Sequence, residues 1–124
     1  MLTYSQKKYL LIIYQLGQNG NTVSSVDVSK LLNVSKVSTS KMTQTLIDMG
    51  YILKEPYGKI SLTKQGITVA SQLHTSNIII YNFFKNILNI SEKNSYNDTI
   101  NIVSQLSNET VSKLTQYSLE YAKI

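Results

Sequence analysis

Cysteine is absent from the 124-residue chain. That excludes a disulfide framework, a thiolate metal site and a cysteine nucleophile. Arginine is absent too, so all twelve basic residues are lysines. The bidentate guanidinium fork, the commonest side-chain contact to guanine, is therefore unavailable. Histidine occurs once, as His74, acids are few, and no glycine-rich phosphate loop is present. Nothing in this inventory builds a catalytic constellation, so neither an enzyme nor a bound cofactor is expected. Long apolar runs are missing as well. The longest, Tyr9–Tyr14, falls far short of the roughly 20 residues that cross a bilayer. With no N-terminal signal pattern, the expectation is a soluble cytoplasmic protein with no membrane partner.

What is present is charge segregation. Residues 1–66 hold eight lysines against Asp27, Asp48 and Glu55, a net of +5. Residues 67–124 hold four lysines against four acids, a net of zero. A basic excess confined to one half is the electrostatic footprint of a polyanion partner.

The hydrophobic periodicity predicts a mainly α fold. Residues 4–17 form a helix that is apolar on several sides, broken by Gly17, Asn19, Gly20 and Asn21. Ser24, with Asp27 three residues on, opens a short helix through Leu32 that turns Val28, Leu31 and Leu32 inward. Asn33, Val34 and Ser35 make a three-residue turn, and Ser35 caps a helix to about Asp48, stopped by Gly50. Met42 and Leu46 anchor that helix, with Thr39 and Thr43 on the same side. Two β-prone runs around Pro56-Tyr57-Gly58-Lys59 read as a hairpin. Thr63 caps a long helix to about Leu88, and two more helices follow near 92–106 and 109–122. Their apolar positions are Tyr96, Ile100, Val103 and Leu106, then Val111, Leu114 and Tyr121.

Helix, tight turn, polar-faced helix and hairpin is the order of a winged helix-turn-helix. It accounts for the Ser, Thr and Lys content of residues 36–48. A recognition helix needs one apolar stripe to seat it, while the other face meets base edges and phosphates. The outward set is Lys36, Val37, Ser40, Lys41, Gln44 and Asp48, with Ser38 and Thr45 at the margins. Gln44 suits adenine, Lys36 and Lys41 suit phosphates, and Ser35 stands at a helix N-terminus that favours a phosphate. At the wing tip, Tyr57 and Lys59 are candidates for backbone or minor-groove contact; the other reading of Tyr57 is an aromatic packed on its own hairpin. The lack of arginine predicts an A·T-leaning double-stranded DNA site, or readout partly through DNA shape. The domains expected are a DNA-binding domain over 1–66 and a helical dimerisation domain over 67–124.

Several stretches together resemble the DtxR/MntR metalloregulators. They are Ser5, Tyr9, Leu10, Ile13, Tyr14 and Leu16; then Val26, Val28, Ser29, Leu32, Val34 and Ser35; then Ser40-Lys41-Met42, Gln44 and Leu46; then Glu55-Pro56-Tyr57-Gly58, Ile60, Leu62, Thr63 and Gly66. The resemblance is strongest over 1–66, and the length is similar to the shorter, manganese-regulator type. It implies a homodimeric, repressor-like transcriptional regulator, with the C-terminal helices and the first helix forming the dimerisation lobe. The family's metal ligands do not carry over. The positions that match them read Lys8 and Leu11 on the first helix, Asn77 on the long helix, and Ile100, Val103 and Ser104 on the next. Shifting that last register by one offers Thr99, Asn101 and Gln105. A divalent ion needs several O or N donors, usually some of them anionic. A lysine and three aliphatics do not supply them, so no metal and no metal switch are expected. Leu11, Ile100 and Val103 are instead expected to pack where ions would sit, each burial worth about 1.5–3 kcal/mol.

Two other functions fit parts of the pattern. One is an antirepressor that pairs with a metal-sensing relative through the helical lobe, but such a module has no need of Lys36, Lys41 and Gln44 on one face. The other is a winged-helix regulator with a small-molecule pocket lined by residues 78–84, a run whose simpler reading is dimer core.

Overall fold

The computed structural model describes residues 1–122. The chain forms two compact units, Met1–Ser71 and a second beginning at Gln72.

The first unit opens with α1 (Tyr4–Leu16). Its start is fixed by a full capping box. Gln6 N–H donates to Thr3 Oγ1 at 3.2 Å and Thr3 N–H donates to Gln6 Oε1 at 2.9 Å. Tyr9 through Ile13 are all buried, as an all-round apolar helix requires. A short strand, β1 (Val23–Ser24), was also not anticipated; two residues carry too little alternation to register. It leads into α2 (Ser25–Leu32), capped where Asp27 N–H donates to Ser24 Oγ at 3.2 Å. Val28 is buried on α2, but Leu31 is 47% exposed, against expectation. Ser29 takes an inward place instead, its hydroxyl satisfied by the Val26 carbonyl at 2.8 Å. A small polar residue can be buried when its hydrogen bond is made locally.

Asn33 ends α2 in the left-handed region, φ 55°, a conformation asparagine tolerates. Ser35 then caps α3 (Lys36–Asp48), accepting from Ser38 N–H at 3.0 Å. The hairpin is β2 (Ile52–Lys54) and β3 (Lys59–Leu62), joined by a turn over Pro56–Gly58. The three strands form an antiparallel sheet in the order β1-β3-β2, with Ile52 opposite Leu62 and Val23 opposite Ile60. Ile52 and Ile60 are buried and Leu53 is exposed, the alternation of a half-buried wing.

From Thr63 the chain enters α4 (Lys64–Asn82), which ends in a π-turn over Phe83–Ile87. In the second unit, α5 (Glu92–Gln105) and α6 (Asn108–Ala122) follow. Phe83 is buried and meets the rings of Tyr121 and Tyr117 edge-on, at centroid separations of 5.7 and 6.3 Å. Ile100, Val103 and Val111 are buried as expected. Tyr96, Leu106 and Tyr121 are 38%, 39% and 41% exposed. Their helix period matches an apolar stripe, but they lie on its margins.

Candidate nucleic-acid interface

The candidate surface is the outer face of α3. Thr39 and Leu46 are fully buried, Thr43 is buried and Met42 half-buried, so one stripe seats the helix. That leaves Lys36, Val37, Ser38, Ser40, Lys41, Gln44, Thr45 and Asp48 exposed together with the cap residue Ser35. Thr39 Oγ1 and Thr43 Oγ1 are buried without a hydrogen-bond partner, so these threonines seat the helix through their methyl groups at a cost in desolvation, and they make leucine-like periodicity a weak signal for this helix. Val37 is 64% exposed, large for a valine, on an otherwise polar face. An exposed methyl pair beside lysines suits contact with a thymine methyl better than contact with water.

Several of these side chains are already ordered. Ser35 Oγ accepts from the Ser38 amide and donates to Ser38 Oγ at 2.9 Å. Thr45 Oγ1 donates to the Lys41 carbonyl at 3.0 Å, and Gln44 Nε2 donates to Asp48 Oδ1 at 2.9 Å. Short polar groups held on a helix face cost little entropy when they meet a partner.

The wing presents Tyr57 at 98% exposure with φ 65°, and Gly58 follows with φ 74°. The ring does not pack on its own hairpin. Lys59, the first residue of β3, is half-buried.

The positions that the metalloregulator resemblance assigns to ligands are filled by aliphatic, cationic or neutral side chains. Leu11 is fully buried, and Val103 and Ile100 are 1% and 4% exposed. None of the three carries a lone pair. Lys8 is half-buried and its ammonium repels a cation. The Ser104 hydroxyl donates to the Ile100 carbonyl at 2.6 Å inside α5. Asn77 Oδ1 is buried without a hydrogen-bond partner, a single neutral oxygen. Among the described residues, no group of three or more His, Cys, Asp or Glu converges. This donor set does not fit a divalent ion.

A buried stripe, a three-residue turn and a hydroxyl-and-lysine face beside a hairpin define a winged helix-turn-helix DNA-binding protein. Comparison with known proteins narrows the class. Residues 1–60 match the family model described as iron dependent repressor, N-terminal DNA binding domain. An uncharacterized HTH-type transcriptional regulator of Methanocaldococcus jannaschii is 28% identical over 114 residues, 91% of each chain. The HTH-type transcriptional regulator MntR of Lysinibacillus sphaericus is 27% identical over 114 residues, covering 92% of this chain and 81% of the relative. The solved structure of the manganese regulator SloR superposes with a TM-score of 0.76 at 27% identity, over 94% of this chain. The chain spans about half, 54%, of the SloR chain. The chain is a winged helix-turn-helix transcriptional regulator similar to the DtxR/MntR proteins. Among the described residues no helix is long and apolar enough to cross a membrane.

Proposed function

We propose that the chain is a homodimeric, sequence-specific repressor that reads an A·T-leaning palindromic operator and needs no divalent metal to do so. The observation that carries this is the division of α3. Thr39, Thr43 and Leu46 are buried, while Ser35, Lys36, Val37, Ser38, Ser40, Lys41, Gln44 and Thr45 are exposed side by side. Lys36 and Lys41 neutralise phosphates, Ser35 caps the helix end that meets one, and Gln44 reads adenine. Tyr57 and Lys59 of the wing reach the flanking backbone or minor groove.

Metal independence is supported by the buried aliphatics Leu11, Ile100 and Val103 at positions where the resemblance implies ligands. Packing of this kind holds a domain without an ion. Dimerisation through residues 67–124 is supported by apolar side chains left exposed there, among them Ile78 at 52%, Leu88 at 51% and Tyr117 at 51%. A two-fold pair would cover such a surface and set two recognition helices one DNA turn apart. The role is regulatory rather than enzymatic, and its place is the cytoplasm, with the chromosome.

Selection of duplexes from a random library by the purified protein tests the reading. The expected result is a two-fold symmetric, A·T-leaning consensus, with sedimentation of a dimer at micromolar concentration. A monomer, or a library returned without enrichment, contradicts it.

A further inference from the structure

Asp48 stands in the wrong place for stability. It is the last residue of α3, where the helix dipole presents its negative end and a cation would be favoured. It also puts a negative charge on the face that carries Lys36, Lys41 and Gln44, opposite a polyanion. Both effects are unfavourable, and Asp48 is exposed, so it fills no space in the interior. A residue that breaks two local rules at once marks a functional constraint.

Its contact shows what that constraint is. Gln44 Nε2 donates to Asp48 Oδ1 at 2.9 Å, one helical turn along the same stripe. An unrestrained glutamine can present either its oxygen or its NH2 group to a base edge. A carboxylate only accepts, so the flipped amide would set two oxygens face to face. The pair therefore fixes the amide, leaving Oε1 and the second N–H hydrogen for an outside partner. Adenine offers one donor, N6–H, and one acceptor, N7, and matches that pair. Guanine offers two acceptors, N7 and O6, and its O6 would face Gln44 Oε1.

We infer that Asp48 is a positioning residue for base readout: it locks the Gln44 carboxamide in the orientation that accepts adenine and rejects guanine. The inference rests on the proposed DNA-reading role of α3. Affinities are measured on the selected operator and on a set of duplexes in which each A·T pair is changed in turn to G·C. The proteins are the wild type, Asp48→Ala, Gln44→Ala and the double variant. The wild type is expected to favour adenine at one position per half-site by about 5- to 100-fold. Asp48→Ala should lose most of that preference, read as the ratio of affinities for the parent and the substituted duplexes. In the Gln44→Ala background the same change should leave base preference unaltered, which separates positioning from simple charge removal. An unchanged preference profile in Asp48→Ala, or a loss that persists without Gln44, overturns the inference while leaving the DNA-binding role intact. A wild type that binds none of the duplexes overturns both.

Discussion

The Thr63 hydroxyl donates to the Gly50 carbonyl at 2.7 Å and accepts from the Gly66 amide at 3.1 Å. One side chain thus caps α4 and ties it to the residue that ends the α3 segment, thirteen positions back. The wing lies between these two points in the chain, so its base is closed by this clamp. Thr63→Val keeps the shape and removes both bonds. The Gly50 carbonyl and the Gly66 amide would each lose a partner, and a loss of about 1–3 kcal/mol is expected by thermal or denaturant unfolding. Thr63→Ser should restore most of it.

Gly66 sits in the first turn of α4, and a Cβ there would run into the Tyr51 carbonyl oxygen. Backbone, unlike a flexible side chain, cannot step aside cheaply. Gly66→Ala is expected to destabilise despite alanine's better helix propensity, by more than the roughly 1 kcal/mol that propensity returns. A raised unfolding temperature in this variant would show that α4 can shift away from β2.

Tyr57 is held in the left-handed region, a strain of about 1–2 kcal/mol for a residue with a side chain of this size. Its ring lies in solvent and gives nothing back inside the protein. Tyr57→Asn should therefore act in opposite directions on two readouts. Stability should rise by about 0.5–1 kcal/mol, while operator affinity falls. Equal or tighter DNA binding by this variant would remove the wing-tip contact from the account.

Lys41 is exposed on α3, beside Ser40 and Gln44. Lys41→Ala should weaken binding across all sequences alike and lower the slope of log affinity against log salt by about one. Gln44→Ala should instead relax preference at one base pair by about 1–3 kcal/mol, with the salt slope kept. If both variants lower affinity uniformly, Gln44 does not read a base.

Much of the fold was legible because its signals are local. Ser24, Ser35 and Thr63 are caps that declare helix starts, and Pro56-Tyr57-Gly58 declares a hairpin tip. The exposed face of α3 was legible for the same reason, since a helix with Thr39, Thr43 and Leu46 on one side leaves the rest outward. What escaped depends on contacts distant in sequence. Strand β1 exists because Val23 pairs with Ile60, thirty-seven positions later. The π-turn at Phe83–Ile87 looks like ordinary helix in a one-dimensional pattern. Leu31, Tyr96, Leu106 and Tyr121 fit the period of an apolar stripe yet are exposed, because periodicity gives a stripe's centre better than its edges. The Gln44–Asp48 bond was open to discovery at the i, i+4 spacing, but only the side-chain geometry shows the two groups joined.

The central claim is that a lysine, serine and glutamine face reads DNA on a scaffold held by aliphatic packing. The most direct measurement is the dissociation constant for the selected operator in EDTA and again in saturating Mn²⁺. The account predicts the same constant in both. Tight binding that appears with Mn²⁺ and is lost on chelation would contradict it.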